Sequence, residues 1–291
     1  MTAGRRARLQ RELADPGCLA AAWRSFFLRR PEVFLRESAP QSRKWLKRRF
    51  PLLYYHLTLR GLPALVAHVR ADALLVSFPK CGRTWLRTMI DHALRLEYDT
   101  PPLRLLVLHD DDPFWKRPEE LVRNKPEFRH KRVLLLTRDP RDALVSGYFH
   151  KHDRQQLYAG SLADYLDEPR GGLETIVTWT RIWRANAHVP EAFLEVRYED
   201  LHADPAATLA RVLAFLGAPA ARERIDAAVE FASFANMRAR ELAERGAATR
   251  PQALKAREGQ VGGHRRHLTE VQIAALDARL AALAAAAVSV D

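Results

Sequence analysis

Cysteine is nearly absent: Cys18 and Cys81 are the two in 291 residues, and neither belongs to a CxxC or Cys/His pattern. Neither a disulfide framework nor a cysteine zinc site is thereby indicated, and a reducing cytoplasm fits. Long apolar runs are missing too. The longest, near Leu280–Val288, is Ala-rich and reads as the face of a terminal helix, so no membrane anchor is expected. Arg5, Arg6, Arg8 and Arg11 precede an apolar patch that Arg24 interrupts, with no convincing cleavage site, so secretion is not expected. Repeats and low-complexity linkers are lacking, and nothing has the Walker A spacing.

What is present is enough apolar sequence, 47% of the chain, to bury a full core, with apolar segments spaced as alternating strands and helices. The formal charge of +12 is unevenly placed, because residues 1–50 hold 13 Lys and Arg against 4 Asp and Glu. Basicity is thus a property of the N-terminal arm. It argues against a nucleic-acid-binding protein as a whole and for a local surface that meets phosphates, acidic glycan or anionic lipid. We expect residues 1–70 to form a basic helical extension, either packed on the domain or lying on a membrane surface, and residues 71–291 to form the domain.

The chain is organised around Ala73–Arg95. The run ALLVSF reads as a buried strand, PKCGRTW as a tight turn, and Leu86, Met89, Ile90, Ala93 and Leu94 as one face of a helix. Pro79 and Gly82 bend the turn so that backbone N–H groups and the positive helix end converge on an anion. Lys80 adds a cation and Thr84 a hydroxyl. Cys81 is either a thiol of lowered pKa at a helix N-terminus or a small spacer.

Further strands are expected at Leu103–Leu108, Arg132–Thr137 and Phe193–Arg197. The first ends in His109, followed by three aspartates, where the active sites of parallel sheets gather. The second ends in RDPRDALVS, with Asp139-Pro140 capping a helix that carries Ser146. A forked, permanently charged Arg138 and a neutral Ser146 hydroxyl suit a dianionic phosphate. Ser161–Asn186 reads as helical with a break at Gly171–Glu174, Trp179 and Trp183 facing the core, and Thr269 with Gln272 starts the last helix as a capping box.

PKCGRTWL resembles the 5′-phosphosulfate loop of the sulfotransferases, usually written PKSGTTWL, and the Arg138/Ser146 segment resembles their 3′-phosphate-binding strand–turn–helix. RYEDL, FASFANM and KAREGQVGGHRRHLT resemble three later motifs, in the family's order. Within them, Ala232 stands where Thr is common, Glu258 where Lys is usual, and Gly263-His264 where Asp-Trp is usual.

The resemblance implies a single α/β domain, a central mostly parallel sheet flanked by helices, with a P-loop-like phosphosulfate loop. It implies a sulfotransferase that moves a sulfonate in line from 3′-phosphoadenosine 5′-phosphosulfate (PAPS) to a hydroxyl or amine, without a metal. Lys80 would serve the bridging oxygen, and Cys81, Gly82, Arg83, Thr84 and Trp85 the phosphosulfate. Arg138, Ser146, Arg257 and Gly259 would serve the 3′-phosphate loop, and Tyr198, Phe234 and Trp85 the nucleoside. Arg83, where Thr is usual, would touch the sulfonate or an anionic acceptor. His109 is the candidate general base, since an imidazole titrates near neutrality, and the adjoining aspartates are its rivals.

Two other classes stay open from the residues alone: a nucleotide-dependent kinase, which needs an acidic metal ligand, and a non-catalytic nucleic-acid or membrane binder working through the basic arm. The acceptor is expected to be a small molecule, glycan or glycolipid, the last two on charge alone, with no nucleic acid. The location is expected to be cytoplasmic, with peripheral membrane contact through residues 1–70 as an option.

Overall fold

Among the described residues of the computed structural model, which are 3–24, 62–245, 254 and 257–288, four strands pair, all in parallel. They are Ala73–Ser77 (β1), Leu105–Leu108 (β2), Arg132–Thr137 (β3) and Ala192–Arg197 (β4), in the order β2-β1-β3-β4. Register is continuous across the sheet: Ala73 faces Leu105 on one side and Arg132 on the other, and Arg132 faces Ala192. The helices are Ala3–Leu13 (α1), Pro16–Ala22 (α2), Leu62–Arg70 (α3), Arg83–Glu97 (α4), Pro140–Phe149 (α5), Leu162–Tyr165 (α6), Leu173–Ala185 (α7), Tyr198–Ala203 (α8), Pro205–Phe215 (α9), Arg222–Phe231 (α10), Phe234–Arg245 (α11) and Glu270–Val288 (α12).

The central strands explain their own sequences. Leu74, Leu75 and Val76 of β1 and Val133–Leu136 of β3 are fully buried, as strands covered on both faces and flanked on both edges must be. The outer two differ from the buried strands the sequence suggests. β2 is half-buried along its length, and in β4 Val196 alone is buried, because among the described residues each has a single strand neighbour. Helix α4 buries Leu86, Met89, Ile90, Ala93 and Leu94, the face read from the sequence, and packs on α10 and α9. The helical stretch at Ser161–Asn186 is two helices, α6 and α7, parted at Gly171, which has φ +68 and lies against the Phe114 backbone. Trp179 and Trp183 of α7 are both buried in the core.

Chain order fixes where a ligand binds. From β1 the chain goes to β2 on one side and then to β3 on the other, so the sheet's topological switch point lies between the carboxyl ends of β1 and β3. The loops after those two strands are the ones that begin with Lys80 and Arg138.

The N-terminal helices are seated on this domain by a buried charge cluster. Glu12 accepts from Lys131 Nζ at 2.7 Å and from Arg8 at 2.9 Å, and Arg8 reaches Asp72 at 3.2 Å. Burial pushes the Lys131 amine down to about 8, against the pull of Glu12. Much of the expected basic extension, including WRSFFLRR beyond Arg24 and RKWLKRRFPLLYYHLTLRG, lies outside the described residues, and with it the proposed membrane-facing surface. No helix among the described residues is long and apolar enough to cross a membrane.

Candidate functional site

Backbone geometry builds the loop after β1. Lys80 is left-handed at φ +74 and Gly82 at φ +88, so the chain turns sharply into α4. Trp85 and Leu86 donate to the Gly82 carbonyl at 2.9 and 3.2 Å, which leaves the N–H groups of Arg83 and Thr84 at the start of α4 for a ligand at the switch point. Only glycine fits at position 82, since a Cβ there would lie 2.5 Å from the Tyr198 ring. Tyr198, the first residue after β4, is buried and forms the wall of the loop. Cys81 is buried, and burial pushes its thiol up to about 12 despite nearby arginines. That fits a spacer and not a reactive thiolate. Thr84 stands exposed in the first turn, and Trp85 meets the Tyr198 and His202 rings edge-on at 5.8 and 6.1 Å.

Arg138 ties the two loops together. One guanidinium nitrogen donates to the Lys80 carbonyl at 3.2 Å, another to the Gln260 carbonyl at 2.9 Å, and the fork lies over the Tyr198 ring at 4.2 Å. Its Nε is buried, and nothing among the described residues accepts from it. A fixed guanidinium with an unused buried donor is what an anionic oxygen would complete.

Asp142, one turn beyond Arg138, organises the far side. It accepts from the Gly262 N–H at 2.8 Å, the His264 N–H at 2.9 Å and the His264 ring at 2.6 Å, and it reaches Arg138 at 3.4 Å. The segment after Arg257 is thereby folded over α5. Arg257 stacks on Phe149 at 3.8 Å and donates to Glu258 at 2.6 Å, and Glu258 also takes the His267 ring at 2.7 Å. Burial lowers the Arg257 pKa, although Glu258 opposes it.

Lys80, Ser146, Phe149, His150, Arg154 and Arg257 line one open pocket at this junction. Three of the sequence candidates therefore share a pocket, and Arg138 contacts the backbone of the first. Gly259, at φ +62, presses on Phe234, since a Cβ would lie 2.4 Å from that ring. The Gly259 carbonyl accepts from His202 at 2.8 Å, which links the Phe234 side of the site to the Trp85 side.

His109 leaves β2 with Nδ1 2.9 Å from the Ser77 carbonyl. A carbonyl only accepts, so Nδ1 carries the proton and Nε2 keeps its lone pair. Burial, reinforced by the charge of Arg83 and more weakly of Lys80, pushes the imidazole down to about 3, so the ring is neutral. The half-buried Arg83 is itself lowered to about 10, first by burial. The three residues after His109 all have positive φ, a strained turn. Two of their carboxylates are committed: Asp110 pairs with buried Lys125 at 2.6 Å, and Asp111 pairs with Lys116 and accepts from the Val122 N–H at 2.7 Å. Burial alone would lower Lys125, but Asp110 and Asp111 outweigh it and raise the amine.

Sequence reasoning missed Asp142, although its i+4 spacing from Arg138 marks it, and missed the Arg154–Glu241 pair, for which no local signal exists. Among the described residues no group of three or more His, Cys, Asp or Glu is placed to hold a metal ion.

A parallel sheet whose switch point presents a helix N-terminus, a lysine and a fixed arginine defines a phosphate-ester-binding α/β enzyme. Residues 70–286 match the family described as the sulfotransferase domain, and the chain belongs to that family. As such it is a PAPS-dependent sulfotransferase. Cytosolic sulfotransferase 1 of Arabidopsis thaliana is 25% identical over 265 residues, covering 74% of this chain and 80% of its own. The 3-alpha-hydroxysteroid sulfotransferase of Cavia porcellus is 26% identical over 265 residues, covering 79% and 89%. Among solved structures, a mouse sulfotransferase complexed with PAP superposes with a TM-score of 0.55 at 20% identity, covering 71% of this chain and 82% of that one. Retinol dehydratase with androsterone and inactive cofactor PAP gives 0.56 at 17% identity, covering 71% and 78%. The family sets aside the kinase and the non-catalytic binder.

Proposed function

We propose that the switch-point pocket is the donor site and that His109 Nε2 is the general base for a hydroxyl acceptor. The observation that carries the first half is Arg138, held over Tyr198 against the Lys80 loop with its buried Nε unused. PAPS supplies a sulfonate activated by attachment to a phosphate. Lys80 is assigned to neutralise charge on the departing phosphate oxygen, and the α4 N-terminus with Gly82, Arg83 and Thr84 to hold that phosphate and the sulfonate. Arg138, Ser146 and Arg257 are assigned to the 3′-phosphate, and Trp85, Tyr198, Phe234 and Gly259 to the nucleoside and the loop that covers it. Cys81 is the spacer that lets its neighbours point outward.

The base assignment rests on the tautomer. Ser77 holds the Nδ1 proton, Nε2 is available, and Asp110 and Asp111 are spent on lysines, which favours His109 over the two carboxylates nearest to it. After taking the acceptor proton, the imidazolium is stabilised by the Ser77 carbonyl and opposed by Arg83. Anionic donor groups offset that opposition.

For the acceptor we favour a small hydroxyl-bearing ring compound. His150 lines the pocket beside Lys80, and its ring lies 5.9 Å from the buried Phe114, which meets the buried Phe78 at 6.3 Å, so aromatic rings back the reacting side. The relative named for a 3-alpha-hydroxysteroid agrees with such an acceptor. A glycan or glycolipid acceptor, and peripheral membrane contact by a cytoplasmic enzyme, rest on the charge of residues 1–50.

The test is calorimetric binding of PAP (3′-phosphoadenosine 5′-phosphate), ADP and AMP without magnesium. Wild type should prefer PAP, and Arg138→Ala should weaken PAP by about 10- to 100-fold and AMP far less, the value of a charged hydrogen-bonded pair. Equal affinities in the wild type would remove the donor assignment.

A further inference from the structure

Arg154 belongs to no motif of the sequence, yet it lines the same pocket as Lys80, Ser146 and Arg257. It lies on the π-helical turn His150–Arg154 that continues α5, the helix carrying Ser146. Its guanidinium donates to Glu241 at 2.8 Å, and both side chains are about one-tenth exposed. Glu241 is on α11, the helix that begins with Phe234. The pocket's other arginine, Arg257, is matched by Glu258 at 2.6 Å. In this state both arginines are therefore offset by carboxylates, and a dianion must draw at least one away from its partner.

Arg257 is committed to its own segment. It is stacked on Phe149, bonded to Glu258 and adjacent to His267 at 3.1 Å. Arg154 instead pairs across the chain with Glu241 on α11, and a fork of this type binds phosphate oxygens in pairs. Resting on the donor assignment above, we propose that Arg154 is a specificity-determining residue for the donor's 3′-phosphate, exchanging Glu241 for that dianion when the nucleotide binds. The exchange turns the Arg154 fork toward the dianion. It also ties recognition of the 3′-phosphate to α11, and so to the helix that presents Phe234.

The experiment is calorimetry of the full chain with PAP and with AMP, for wild type, Arg154→Gln and Glu241→Gln. Arg154→Gln should weaken PAP about 10-fold or more and leave AMP within about 2-fold, so that the PAP-over-AMP preference collapses. Glu241→Gln should strengthen PAP several-fold with AMP unchanged, because the competing carboxylate is gone. An unchanged PAP-over-AMP ratio in both variants overturns the proposal while leaving the donor site standing. Loss of PAP and AMP in equal proportion in Arg154→Gln also overturns it, since that marks a structural bridge. If Arg154→Gln does not fold, the Glu241→Gln ratio decides alone: a rise supports the exchange and no rise ends it. Wild type without a PAP preference fails the donor assignment instead, a different result from either.

Discussion

The two walls of the proposed site are built by different means. The donor wall is local: Lys80–Trp85 and Arg138–Ser146 each follow a central strand, and their turns, caps and helix ends set the geometry. The wall proposed for the acceptor is assembled across the chain. Asp110 meets Lys125, Asp110 O takes Trp179 Nε1 at 3.2 Å, and Lys151 donates to the Arg170 carbonyl at 3.0 Å under the Phe114, Trp115 and Tyr165 rings. A wall made from local turns is constrained residue by residue. One made from distant pairs changes whenever either partner does, which suits a surface that must fit one acceptor among many.

The sharpest break of this comparison is at the reacting centre, where both walls meet. His109→Asn should lower kcat by about 10²–10⁴-fold, the usual value of a positioned base, with PAP affinity little changed. Lys80→Met should lower kcat by about 10²–10³-fold, as for other charge-stabilising donors. Initial rates with a phenolic acceptor check both, and full activity in His109→Asn would return the base to an aspartate.

The next effect is on stability. Asp142→Ala strands the Gly262 and His264 donors and leaves Arg138 without its carboxylate, and should cost about 3–5 kcal/mol in denaturant unfolding. Gly82→Ala forces φ +88 on a residue with a Cβ and drives that Cβ into Tyr198, for about 1–3 kcal/mol and a weaker grip on PAP. Tyr198→Ala in the Gly82→Ala background should recover part of the loss that the ring contact causes.

The same division governs what the chain discloses before it folds. β1, the turn, the buried face of α4 and the Asp139 cap are legible because each depends on neighbours a few residues away. His109 is legible as a residue, but its tautomer is not, since Ser77 sits on another strand. The edge character of β2 and β4 depends on strand order, which periodicity does not carry. Asp142 reads as one more helical acid until Gly262 and His264 fold onto it.

Protonation separates the walls further. His109 is held at about 3 by burial first and by Arg83 second, below its ordinary value near 6.5. A folded pKa below the unfolded one means the folded state binds fewer protons between pH 3 and 6.5, so stability falls as pH drops through that window. Buried His68, also near 3, adds to the same loss. In the donor-free protein the His109 ring should show no NMR titration between pH 8 and 5. A midpoint near 6.5 would show the ring to be solvated.

Lys151 gives the mildest test, and it isolates the acceptor wall. Burial pushes its amine down to about 8, with Glu168 opposing, so the folded state binds fewer protons than the unfolded chain between pH 8 and the ordinary lysine value near 10.5. Stability supported by this position must therefore rise with pH across that range. Lys131, also near 8, produces a rise of its own, so the wild-type curve alone does not assign the effect. The difference between wild type and Lys151→Met does. Met keeps the stem's contacts with the three rings and removes the charge, so at pH 7 unfolding should be neutral or harder by about 1 kcal/mol. By pH 10.5 that advantage should have shrunk toward zero. PAP affinity should not move at all, because nothing of the donor wall touches this amine. A loss of PAP affinity in Lys151→Met would show that the two walls are coupled through the π-turn that carries both Lys151 and Arg154, and the separation drawn between them would have to be given up.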